Sequence, residues 1–199
     1  MLQTRASDPY LPSRPIVLIG LMGVGKSTVG RRLAKELERP FADVDEQVEL
    51  AAGRAIPAIF RLDGEEAFRQ LETEVLADLV DRADPLVVAA GGGAVSRPEN
   101  RALLPGRATV VWLRAPADFL ARRTDPAHRP LLAVDPAGTL ARLQAEREPL
   151  YAEVADLVVD VEPFHAVDDK PKRAIARHIT DLLAGLATPV GRAAGEAAP

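Results

Sequence analysis

The chain reads as an α/β fold: three layers, α/β/α, around a five-stranded parallel sheet. Three observations predict it. Five short apolar runs alternate with helical patterns, the alternation that sets parallel strands between covering helices. Those runs are mostly apolar rather than alternating, as strands buried on both faces are. The first run, Ile16-Val17-Leu18-Ile19, passes at once through a glycine-rich turn, Gly20 to Thr28, into a helical pattern.

The elements follow in order. Residues 15–19 are the first strand. A helix covers about 26–37, with Arg31, Arg32, Lys35 and Glu36 on its wetted side. Residues 41–44 form a second strand ending in acid, and 46–52 a helix that Gly53 closes. Residues 56–60 make one helical turn. Asp63-Gly64-Glu65-Glu66 has the form of a capping box, with Asp63 at the N-cap and Glu66 at N3. It opens a long helix to about Asp81, with Phe68, Leu71, Val75, Leu76 and Leu79 on one face. The third strand, 86–89, is broken by Gly91-Gly92-Gly93. A short helix over 98–104, a fourth strand over 109–113 and a helix over 116–123 come next. The polar segment 124–137, with Arg129-Pro130 at its centre, reads as a mobile lid. A helix over 139–154, a fifth strand over 157–161 and a last helix over 171–186 complete one domain, 15–186. Residues 1–14 read as a flexible extension, and the Ala/Gly/Pro-rich stretch 187–199 as a disordered tail.

Gly20-Leu21-Met22-Gly23-Val24-Gly25-Lys26-Ser27-Thr28 fits the phosphate-loop template G-x-x-x-x-G-K-[ST] in its required strand–turn–helix setting. The expected architecture is therefore that of a P-loop NTPase. Glycines let successive N–H groups turn inward around a phosphate without Cβ clashes. The helix start adds unpaired N–H groups and a positive dipole end. Lys26 can reach the β- and γ-phosphates, and the Ser27 hydroxyl can ligate Mg²⁺. Gly23, Val24, Gly25 and Thr28 complete the nucleotide-binding set.

Composition narrows the class. At 199 residues, 47% apolar and 27% charged, the chain has the profile of a soluble globular domain. With no cysteine it carries neither disulfides nor a thiolate zinc site. No apolar run is long enough to span a bilayer, and residues 1–14 lack an apolar core of the secretory kind. The expectation is a cytoplasmic protein. A net charge of −4 argues against a general nucleic-acid binder.

In open parallel sheets ligands sit at the C-terminal strand ends. That places Gly20–Ser27, Asp43/Asp45 and Gly91–Gly93 around one crevice. Asp43 and Asp45 can take separate work, one near a metal held by Ser27, the other holding a substrate hydroxyl and accepting its proton. They can equally be caps of the following helix. Strand three ends Ala89-Ala90-Gly91 rather than in Asp, which favours Asp43 for the metal. Gly91-Gly92-Gly93 is either a second close approach of backbone amides to a ligand or a flexible turn. Arg69 lies three residues before Glu72, most simply a surface ion pair. Arg129 and Arg147 are, on spacing alone, solvated arginines that could also grip anions.

Six blocks in this order and spacing change that balance. They are Gly20–Ala34, Asp43-x-Asp45, Gly64-Glu65-x-x-Phe68-Arg69-x-x-Glu72, Gly91-Gly92-Gly93-Ala94-Val95, Arg129-Pro130-Leu131-Leu132 and Arg147-x-Pro149-Leu150-Tyr151. Over residues 15–179 the chain resembles the shikimate kinase family. The resemblance implies ATP-dependent phosphorylation of the 3-hydroxyl of shikimate, on the route to chorismate and the aromatic amino acids. It implies that Arg69 and Arg147 clamp the shikimate carboxylate with Glu72 holding Arg69, and that Asp45 and the Gly91–Gly93 amides bind the ring hydroxyls, Asp45 as base. By the same matching Ser27 and Asp43 serve Mg²⁺, Lys26 and lid Arg129 the transferring phosphate, and Arg123 stacks near adenine. ATP and shikimate are the expected partners of a monomer. Residues 160–171 run longer than the family's pattern and do not match it.

Three other readings fit the sequence less well. A gluconate kinase would share loop and lid but not the set Asp45, Arg69, triple glycine and Arg147. A GTPase switch needs Asn-Lys-x-Asp, and the only asparagine is Asn100, in Glu99-Asn100-Arg101. A catalytically dead binding protein of the same fold is disfavoured by the intact Lys26, Ser27, Asp43, Asp45 and Arg129.

Overall fold

The computed structural model describes residues 13–82, 84–123, 135–168 and 170–187. At the middle of its sheet lies β1 (Ile16–Ile19), four residues with every side chain buried. It pairs in parallel with β3 (Val87–Ala89) on one side and β4 (Thr109–Arg114) on the other. β2 (Phe41–Asp43) extends the sheet beyond β3, and β5 (Leu157–Asp160) beyond β4, giving the order β2-β3-β1-β4-β5, all parallel.

Both faces of the sheet are covered, and the two-residue period of a strand shows how. Leu18 faces α1 (Lys26–Glu36), where Gly30 comes so close that a methyl group on it would sit 3.2 Å from Leu18 Cδ1 and 2.6 Å from the Phe41 ring. Ile19 points the other way, and its register partner Trp112 stacks on Tyr151 of α7 (Pro136–Val154), ring centroids 5.6 Å apart. α1 packs with α9 (Pro171–Ala187) on its own face. Opposite, α7 neighbours α5 (Pro98–Leu103), which in turn touches α4 (Gly64–Val80). Burying each such aliphatic side chain contributes about 1.5–3 kcal/mol. The expected three-layer architecture is what the chain forms.

Four local expectations need correction. The helix after β2, α2 (Val44–Ala52), begins two residues early, so only Asp43 belongs to the strand end and Asp45 sits in the first helical turn. Asp43 is its N-cap, with Oδ1 accepting from Asp45 N at 3.1 Å. The capping box at Asp63 does not form. The short turn is a full helix, α3 (Ile56–Leu62), which runs to Asp63, and the Asp63 carboxylate pairs with Arg54 instead of capping α4. α7 starts at Pro136, capped by Asp135 accepting from Gly138 N at 2.9 Å, so residues 136 and 137 are helix rather than lid. An unexpected helix, α8 (Glu162–Val167), occupies the segment that fits the family pattern least. The remaining lid residues, 124–134, and the terminal stretches 1–12 and 188–199 lie outside the described residues. Among the described residues no helix is long and apolar enough to cross a membrane.

Candidate active site

The phosphate loop leaves β1 at Gly20, a residue no other amino acid could replace. Its φ is +138°, and a methyl group there would lie 2.3 Å from the Leu113 carbonyl oxygen of β4. Gly23 and Gly25 also have positive φ, and Gly25 is the N-cap of α1. No acidic side chain occupies the first turn of α1, so its positive end is left for an anion. Lys26 is buried, and its ammonium donates to the carbonyls of Gly20 at 2.7 Å and Leu21 at 3.1 Å, which ties the lysine across the loop it serves. Ser27 and Thr28 stand exposed at the helix start.

Across the crevice the Gly91–Gly93 turn, at the end of β3, gathers most of the predicted acceptor residues. A methyl group at Gly91 would come within 2.2 Å of Glu72 Oε1 and 3.2 Å of Asp45 Oδ1. One at Gly93 would come within 2.9 Å of Arg69 Nη1. At Gly91 and Gly93 the absent side chain lets these charged groups approach the main chain, so the turn is a place of close approach. The Gly92 carbonyl accepts from Arg147 Nη1 at 2.9 Å and from the Tyr151 hydroxyl at 2.7 Å. On its other side Gly92 abuts the phosphate loop, where a methyl group would lie 3.3 Å from Met22 N.

Charges in this crevice are strongly coupled. Arg69 donates to Glu72 Oε2 at 2.9 Å and to Glu65 Oε1 at 3.2–3.3 Å. The bland reading of Arg69–Glu72 as a surface pair fails, since the Glu72 side chain is 1% exposed. Burial pushes the Glu72 carboxyl above its ordinary value against the pull of Arg69, with Asp45 adding to the rise. For Arg69 burial acts downward, yet Glu72 and Glu65 hold the guanidinium above its usual value. Both partners thus bear desolvation, and the pair outweighs it for the arginine but not for the glutamate. Asp45 is raised as well, by loss of water around it first and by the Asp43 charge second, with Lys26 and Arg69 opposing. Asp45 nevertheless stays exposed, so its carboxylate is open to a ligand.

Mg²⁺ suits the donors present. The Asp43 carboxylate is 8% exposed and uses Oδ1 for its cap, leaving Oδ2, and the Ser27 hydroxyl stands on the loop. Both are hard oxygen donors of the kind Mg²⁺ takes alongside phosphate and water. Among the described residues no three His, Cys, Asp or Glu side chains converge on a metal position, so the ion would be held jointly with a nucleotide.

Of the remaining predicted residues, Arg123 lies at the end of α6 (Ala117–Arg123), exposed and 5.3 Å over the Phe119 ring. Arg129 falls outside the described residues. Two neighbours have no role in the sequence reading. Lys172, on α9, brings its Cε to 4.0 Å from a methyl position on Gly25, a tertiary approach no spacing announces. Tyr151 joins Arg147 on one carbonyl, and here a signal existed: i and i+4 on a helix share a face.

The comparisons with known proteins agree with this geometry. The family model described as shikimate kinase matches residues 22–184. A shikimate kinase from Bradyrhizobium diazoefficiens is 50% identical over 151 residues, covering 75% of this chain and 72% of the relative. One from Pseudomonas savastanoi pv. phaseolicola is 46% identical and covers 87% of this chain and 98% of the relative. Among solved structures, the shikimate kinase of Acinetobacter baumannii in complex with shikimate superposes with a TM-score of 0.80 at 38% identity, over 91% of this chain and 98% of that one. With its phosphate loop, its crowded triple glycine and its paired arginines on one crevice, the chain belongs to the shikimate kinase family.

Proposed function

We propose that the chain transfers the γ-phosphoryl group of ATP to the 3-hydroxyl of shikimate, giving shikimate 3-phosphate and ADP. The observation that carries this reading is the position of Asp45. Its carboxylate lies against the Gly91 turn, next to the phosphate loop and within the field of Arg69. A small polyol acid in that space has a cationic clamp, Arg69 and Arg147, for its carboxylate and an aspartate for its attacking hydroxyl.

In this reading Asp45 accepts the hydroxyl proton as oxygen attacks phosphorus, helped by a carboxyl already raised toward neutrality. Lys26 leaves its carbonyl partners to meet the β- and γ-oxygens, and the N–H groups of the loop and of α1 hold the α- and β-phosphates. Ser27 and Asp43 would hold Mg²⁺ together with the nucleotide, and the ion would supply charge neutralisation. Arg123 faces the base, and Arg129 neutralises the charge developing on the transferred group. Every group this scheme needs is on one chain, so a monomer suffices, working where ATP is abundant, in the cytoplasm.

A coupled ADP-release assay with Mg·ATP, comparing shikimate, gluconate and water as acceptors, tests the proposal. Release that depends on shikimate and stops with EDTA is expected. Release that is equal with water, or faster with gluconate, would defeat it.

A further inference from the structure

Gly92 is held in a way the proposed chemistry does not by itself explain. Its carbonyl oxygen receives two donors, Arg147 Nη1 at 2.9 Å and the Tyr151 hydroxyl at 2.7 Å, both from α7. A trans peptide is planar, with C=O and the following N–H pointing in opposite directions. Fixing the Gly92 carbonyl toward α7 therefore turns the Gly93 N–H away from α7. No carbonyl among the described residues accepts from the N–H groups of Gly91, Gly92 or Gly93. Three unpaired donors in sequence, beside Asp45 and Arg69, form a nest for oxygen atoms.

We infer that Tyr151 is a positioning residue of the acceptor pocket: its hydroxyl pins the Gly92 carbonyl and thereby aims the Gly93 N–H at an acceptor hydroxyl. The inference rests on the acceptor reading given above. Of the two donors Tyr151 is the constant one. Arg147 carries a half-buried guanidinium that a bound carboxylate would draw toward itself. Tyr151 is 1% exposed, and its ring stacks on Trp112 at an interplanar angle of 28°. Burial pushes its hydroxyl up to about 12, so it stays an O–H donor through the working pH range. When Arg147 swings toward substrate, Tyr151 keeps the peptide plane from turning with it.

The competing role is packing alone, the ring filling space against Trp112. Tyr151→Phe separates the two, since it keeps the ring and removes only the donor. Loss of one hydrogen bond to the turn should raise the KM for shikimate about three- to tenfold. The KM for ATP should stay within about twofold, and the melting temperature within roughly 2 °C, as expected when buried apolar area is conserved. In ¹⁵N-glycine-labelled protein without ligand, the Gly93 amide resonance should shift on the same substitution. An unchanged shikimate KM, or an unmoved Gly93 resonance, would overturn the inference and leave Tyr151 a packing residue. A wild-type chain that phosphorylates no shikimate would sink the acceptor assignment instead, and the ligand-free resonance would still decide what Tyr151 does.

Discussion

Glu72 holds Arg69 with one carboxylate oxygen and turns the other toward Gly91. Oε2 accepts from Arg69 Nη1 at 2.9 Å, while Oε1 is buried with no hydrogen-bond partner among the described residues. The unshared oxygen lies where a methyl group on Gly91 would collide with it, 2.2 Å away. One glutamate thus fixes the direction of the clamp and the shape of the turn beside it.

Glu72→Gln should therefore weaken acceptor binding without touching the nucleotide. Hydrogen bonds to charged groups are worth about 1.5–3 kcal/mol, so the KM for shikimate should rise roughly tenfold or more. The ATP KM should hold. Steady-state kinetics with each substrate varied in turn checks this, and an equal rise in both constants would contradict it. The raised carboxyl adds a pH signature. Wild-type shikimate KM should climb as pH falls through that raised value, because a protonated Glu72 releases Arg69, and the Gln variant should lose this part of the climb while keeping the part due to Asp45. The stability sign runs the other way. A carboxyl whose folded pKa lies above its unfolded one stabilises most in acid and loses that contribution as pH rises through the folded value.

Asp45→Asn should cost about 10²–10⁴ in kcat, the usual weight of a general base. ATP affinity, read by calorimetry or fluorescence, should survive. The same substitution should leave the melting temperature equal or higher, since it removes a crowded charge that Asp43 opposes. A variant that is fully active, or one that is unfolded, would refute the assignment.

Two glycines with positive φ make a matched stability test. Gly53→Ala faces no atom within 4 Å and should lose only the backbone term, about 1–2 kcal/mol. Gly20→Ala adds a 2.3 Å collision with the Leu113 carbonyl to the same backbone strain. It should fail to fold or lose several times as much, on the order of 3 kcal/mol and beyond. Urea titration of both variants measures the difference, and similar midpoints would show that the β1–β4 contact can yield.

Much of this was legible before any coordinates. The apolar runs, the phosphate loop and the order of charged blocks depend on local pattern and on spacing, which a chain displays openly. The turn at Asp63 was not, because the carboxylate that should have capped α4 is taken by Arg54, nine residues upstream, as α3 runs straight into α4. The early start of α2 has a similar cause: Asp43 caps that helix, the simpler of the two readings its sequence position allows. Burial of Glu72 was invisible for a different reason. Periodicity puts it on the long helix beside Arg69, but only the approach of the triple glycine closes water out.

The contact between Gly92 and Met22 carries a last consequence. Main chain meets main chain there, with room for no side chain: a methyl group on Gly92 would stand 3.3 Å from Met22 N. The spacing between the phosphate loop and the triple-glycine turn is thus set at this point by two backbones. Change of acceptor in descendants of this chain has to come from the walls of the pocket, at positions such as Arg69 and Arg147. That spacing passes down unaltered, like the fixed jaw of a calliper.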